Sequence, residues 1–172
     1  DVDLARGLVY GGTRGGGFDV ANALTGELMQ TVAGPTDGGA WRTHGVAYDP
    51  VDDLLYVSNS DAAGSTEGIR VYRGSDYELL QRLALPASDF RSIAVDGEAG
   101  IVVVGHQTSA YDASGVSIYR TDDLTLIERL EEYRYGDKVY GVSIDTENNQ
   151  LYVSARDRYP AGLIKVQLPA AP

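Results

Sequence analysis

The sequence predicts an all-β chain of four consecutive repeats, each with up to four short antiparallel strands. Three observations predict it. The first is self-similarity: Asp3 opens DLARGLVYGG, Asp49 opens DPVDDLLYVS, Asp96 opens DGEAGIVVVG and Asp145 opens DTENNQLYVSA. These aspartates stand 46, 47 and 49 residues apart, a spacing typical of repeat architectures. The second is period-two alternation of apolar and polar residues between the anchors. The third is the turn after each anchor. Four residues on stand Gly7, Asp53, Gly100 and Asn149, residue types that tolerate the left-handed backbone of a tight hairpin with a bulge.

With the strands of a repeat lettered a to d, the first repeat has b at Leu8–Gly11, c at Phe18–Ala21 and d at Leu28–Val32, with almost no strand a before Asp3. The second has Gly45–Tyr48, Leu54–Ser58, Ile69–Tyr72 and Leu79–Leu83. The third has Ser92–Val95, Ile101–Val104, Val116–Tyr119 and Leu126–Leu130. The fourth has Gly141–Ile144, Leu151–Ser154 and Ile164–Leu168, then stops. The repeats run approximately 1–43, 44–90, 91–139 and 140–172, as one segment. The anchor aspartates suit the first position of a type I turn, with Pro50 at the second. A calcium role fits them poorly, because D-x-[DN]-x-[DN]-G is absent. Four short antiparallel strands in each repeat of this length mean β-propeller blades.

LLYVSNS at Leu54–Ser60 and LYVSAR at Leu151–Arg156 resemble the L-Y-V-x-N core of YVTN-type β-propeller repeats, and GVAYDP and GVSIDT resemble the lead-in of that family. The likeness is weaker in LVYGGT and in IVVVGH, where Val103 replaces the tyrosine. The resemblance implies a longer, seven-bladed ring, often exported from bacteria and serving as a binding module or beside redox enzymes. It makes a periplasmic or extracellular setting the expectation, although no signal peptide is visible at Asp1. Four repeats with incomplete ends suggest the C-terminal part of such a ring; a small closed ring is the alternative. An open arc would contact the missing blades or a second copy through its end repeats.

Composition narrows the function. A formal charge of −11 argues against nucleic acid, whose phosphates need a basic surface. No apolar run is long enough for a membrane span. With no cysteine, disulfides and thiolate metal sites are excluded. There is no G-x-S-x-G elbow and no H-E-x-x-H, and two histidines cannot supply a three-histidine zinc site. No catalytic residue, metal or cofactor is expected. GGTRGGG at Gly11–Gly17 lacks the Lys-Ser/Thr of a phosphate loop and reads as a flexible connection.

Blade geometry puts the short acidic a–b and c–d turns on one face and the longer d–a and b–c loops on the other. Long loops on a rigid scaffold are where binding concentrates. The candidate ligand-binding residues there are Trp41, Arg42, His44, Phe90, Arg91, His106, Lys138, Tyr140 and Arg156. Arg42, Arg91 and Lys138 precede strand a in three successive repeats, a locally positive mouth on an acidic chain. That implies an anionic small ligand or an acidic protein patch as partner. Alternatively, these cations pair with Asp37, Asp89 and Asp137 and only stitch loops together. The expected function is a non-catalytic binding or scaffolding propeller. The alternative is a lactonase-like or redox-associated propeller subunit with active groups partly in missing blades.

Overall fold

The computed structural model describes residues 1–34, 41–61, 67–84, 88–108, 115–131, 138–156 and 162–168, with only the backbone described at several strand ends. No helix occurs among them. Fifteen strands run in order: β1 (Val2–Asp3), β2 (Leu8–Gly12), β3 (Phe18–Asn22), β4 (Leu28–Val32), β5 (Trp41–Asp49), β6 (Leu54–Asp61), β7 (Glu67–Arg73), β8 (Leu79–Ala84), β9 (Ser88–Asp96), β10 (Ile101–Thr108), β11 (Gly115–Arg120), β12 (Leu126–Glu131), β13 (Lys138–Asp145), β14 (Gln150–Arg156) and β15 (Gly162–Gln167). They form four antiparallel sheets with neighbours in chain order, β1–β4, β5–β8, β9–β12 and β13–β15. The expected strands are all present. The first repeat also holds a short strand a, β1, whose Val2 and Asp3 pair with Val9 and Leu8.

The expected repeat boundaries fall inside β5, β9 and β13, because these first strands begin upstream of the regular alternation. The cause is a bulge in each. Thr43 pairs with Asn59 and Gly45 with Ser58, which leaves His44 as the extra residue. Phe90 pairs with His106 and Ser92 with Gly105, leaving Arg91. Val139 pairs with Ala155 and Gly141 with Ser154, leaving Tyr140. Each extra residue lies five before its repeat's anchor aspartate. A bulge interrupts the two-residue period and so conceals the start of the strand from a pattern reading.

The turns follow the expected register. Gly7, Asp53, Gly100 and Asn149 have φ of 67°, 55°, 66° and 51°. Each anchor aspartate accepts a backbone N–H through Oδ1: Asp3 from Arg6 (3.0 Å), Asp49 from Val51 (2.8 Å), Asp96 from Ala99 (3.0 Å) and Asp145 from Asn148 (3.1 Å). The anchors are therefore turn-forming residues. The c–d hairpins add left-handed residues that the sequence did not announce, Gly26, Tyr77 and Leu124.

The chain divides into two compact units, Asp1–Ala87 and Ser88–Pro172, each with two sheets. In the first, Leu8, Tyr10, Phe18, Val20, Leu55, Val57 and Tyr72 form the core between sheets. In the second, Ile101, Val103, Val116, Ile118, Val139, Leu151, Val153 and Leu168 do so. Alternate side chains of each strand enter these cores, as a sheet packed face to face requires.

Candidate functional site

The candidate residues stand on strands, at the ends opposite the acidic turns. The first strands extend through positions the sequence assigned to loops, because the bulge lets the ladder continue past the irregularity. Trp41 and Arg42 open β5, paired with Asp61 and Ser60, and Arg42 is exposed. Lys138 opens β13 and pairs with Arg156 at the end of β14. The side chains of Trp41, Lys138, Arg156 and Asp89 lie outside the described residues, as do Asp37 and Asp137. The expected ion pairs with those aspartates therefore also lie outside them.

In the second unit, β9 and β13 lie side by side, and each carries a bulge residue, Arg91 or Tyr140, five residues before its anchor aspartate. Arg91 is half-buried and Tyr140 is 42% exposed. Next to Arg91 the packing is close. Phe90 is buried, with its ring 6.1 Å from that of His106, tilted by 54°. His106 is buried too, and its Nε2 lies 3.0 Å from Ser117 Oγ on β11. A Cβ on Gly105 would sit 2.6 Å from Val139 Cγ1 and 2.7 Å from Ser92 Oγ, so only glycine lets β13 press this close. Phe90 and His106 are thus buried and packed against each other, next to Arg91 along the ladder. They are not surface contacts.

In the first unit the same level is held differently. Thr43 Oγ1 donates to Asn59 Oδ1 (3.0 Å), and Asn59 Nδ2 donates to Val57 O (3.2 Å). Thr43 N also donates to Thr13 O of the neighbouring sheet (3.0 Å). His44, the bulge residue above this network, is half-buried. Sequence reasoning found His44, Arg91 and Tyr140 individually. The bulge that makes them equivalent shows only as an extra residue in a period-two run.

No family model matches the chain, and no curated protein matches it by sequence. Solved structures do. A chain in the crystal structure of a nidogen/laminin complex is 18% identical over 89% of this chain, with a TM-score of 0.68. Hydrazine synthase of Kuenenia stuttgartiensis is 13% identical over 89% of this chain, with a TM-score of 0.64. The sheets are β-propeller blades. At such identities the likeness shows the fold alone. The chain spans 54% and 40% of the two solved chains. Within a blade the first strand is the inner one, so the bulge residues belong to inner strands.

Among the described residues, no group of three or more acidic or histidine side chains is placed to hold a metal ion. No helix there is long and apolar enough to cross a membrane.

The opposite ends of the strands carry the acidic turns, which differ between the units. In the first, Arg6 lies between two of them. Its Nη1 donates to Asp3 Oδ2 (3.1 Å) and Tyr48 OH (3.3 Å), and its Nη2 lies 2.7 Å from Asp53 Oδ1. Tyr48 OH also donates to Asp53 Oδ1 (3.1 Å). Burial, then this bond to a carboxylate, push the Tyr48 phenol up to about 12. In the second unit a cleft of about 400 Å³ opens between the corresponding turns, lined by Asp96, Glu98, Ala99, Thr146, Glu147 and Asn149.

Proposed function

We propose that the chain is a non-catalytic binding propeller that engages an anionic small ligand or an acidic protein patch through the bulged ends of its inner strands. One observation carries the reading: in the second unit, two neighbouring repeats place a side chain capable of hydrogen bonding, Arg91 and Tyr140, at the same bulge position, and His44 holds that position in the first unit. Bulges recur where a sheet re-aims a side chain at a ligand. Arg91 supplies a permanent cation with a planar donor fork, and Tyr140 a phenol. Blade similarity to a chain from a protein–protein complex is in keeping with a protein partner. A YVTN-type repeat and an exported setting rest on the sequence resemblance.

Titration with citrate, inorganic phosphate and a short poly-glutamate peptide, followed by backbone amide NMR, tests the proposal. Saturable shifts at Arg91 and Tyr140 are expected, lost in Arg91→Ala and weakened in Tyr140→Phe. Shifts that persist unchanged in Arg91→Ala would overturn it.

A further inference from the structure

The two units share one geometry at their acidic turns, and that shared geometry exposes a difference. Counting from the anchor aspartates, Asp3 corresponds to Asp96, Arg6 to Ala99 and Asp53 to Asn149. In the first unit Arg6 bridges the turns of adjacent blades, held by Asp3 on its own turn and Asp53 on the next. In the second unit the position of Arg6 is taken by a methyl group. The space a guanidinium occupies in one unit is the open cleft of the other.

The polar lining persists where the cation does not. Asp96 is 8% exposed and, like Asp3, accepts the backbone N–H three residues on through Oδ1. Asp3 Oδ2 then receives Arg6 Nη1; Asp96 Oδ2 meets no donor among the described residues. That oxygen is left for a donor entering the open cleft that Asp96 lines, where a charge-assisted hydrogen bond is stronger than a neutral one. Glu98 and Glu147, both exposed, add negative charge at the rim, and Asn149 stands where Asp53 does. Hard divalent cations need several convergent oxygens, which this lining does not provide.

We propose that the cleft between the turns of the third and fourth repeats is a receptor for an arginine side chain of a partner protein, which enters where Arg6 sits in the first unit. Arginine is favoured over lysine because its flat fork donates to two acceptors at once, as Arg6 does to Asp3 and Asp53. The site lies at the opposite strand ends from the bulge-lined one. Either reading can fail without the other.

The probes are N-acetylarginine amide, its neutral isostere N-acetylcitrulline amide and free arginine, titrated into the full chain and followed by backbone amide NMR. The arginine amide is expected to give saturable shifts at Ala99, Glu147 and Asn149. Binding of the citrulline amide should be weaker by about tenfold or more, the difference between a charge-assisted and a neutral hydrogen-bond set. Free arginine binding more tightly than the amide would point to a metabolite and overturn the partner-side-chain reading. Ala99→Arg should fill the cleft from within, abolish the shifts and raise the melting temperature. Glu98→Gln with Glu147→Gln, at two exposed positions, should weaken binding and leave the fold intact. Equal binding of the arginine and citrulline amides, or undiminished binding by Ala99→Arg, would overturn the proposal.

Discussion

The two units solve one packing problem with different residues. At three equivalent positions facing the neighbouring sheet, the first unit has Tyr10, Phe18 and Tyr72, and the second has Val103, Val116 and Val166. At two others the units agree, with Leu55 and Leu151, and Val57 and Val153. The aromatic unit is tied by ring contacts: Phe18 meets Tyr72 edge-on at 5.2 Å and Tyr77 at 5.7 Å, and Tyr10 lies 5.7 Å from Tyr48. The aliphatic unit relies on β-branched side chains that fit a pleated surface with little rotamer freedom to lose. The repeat thus specifies which positions are buried, and each blade pair settles separately what fills them.

The largest test of this contrast is truncation. Phe18→Ala removes a fully buried ring and its edge contacts, and should cost about 3–5 kcal/mol. Val116→Ala at the equivalent position should cost about 2 kcal/mol. Urea denaturation of both variants gives the comparison directly; equal losses would mean that the rings add nothing beyond shape.

Next in size is a backbone effect. Gly100 has φ 66°, and the nearest neighbour to a Cβ there, Thr121 Oγ1, is 3.8 Å away. Space is ample, so Gly100→Val should cost about 1–2 kcal/mol through strain alone. An unchanged melting temperature would sink the hairpin geometry. Arg6→Ala should cost about 1 kcal/mol, because it leaves the Asp3 carboxylate buried without its ion pair while the exposed half of the interaction is screened. Ala99→Arg in the other unit should move stability the opposite way.

The last effect is alkaline. A phenol raised by folding stabilises the native state below its ordinary pKa and loses that contribution as pH climbs through the folded value. Tyr48 is raised from 10.0 to about 12, first by burial and then by Asp53, and burial raises Tyr10 as well. Stability of the first unit should therefore decline between pH 10 and 12. Burial also raises Tyr119 in the second unit, so the contrast is one of degree. Hydrogen exchange measured unit by unit across that range would detect it.

Much of the fold was legible because strands, anchors and glycine-type turns leave local marks. Asp53 and Asn149 could be read as left-handed from residue type; Tyr77 and Leu124 could not, since such side chains disfavour that region. Tertiary packing holds them there: Leu124 is buried, Tyr77 meets Tyr10 and Phe18 edge-on, and Tyr77 N donates to Arg73 O (2.9 Å). β1 leaves almost no mark in the sequence, because two residues carry no periodicity. The residues proposed for binding stand out by their chemistry but read as loop residues, because nothing in RTHGV or FRSIA announces that the ladder resumes beyond an extra residue. The acidic turns read as scaffold throughout. Only alignment of Arg6 with Ala99, given meaning by the cleft, sets one of them apart.

The bulges have a consequence for how such a chain can change. Residues on either side of each extra residue keep their pairing: Thr43 stays opposite Asn59 and Gly45 opposite Ser58, whatever occupies position 44. Removing His44, Arg91 or Tyr140 outright would close the ladder into a regular one with every other side chain on its present face. Each inner strand therefore carries one position that drift or engineering can rewrite, or delete, without rewriting the blade.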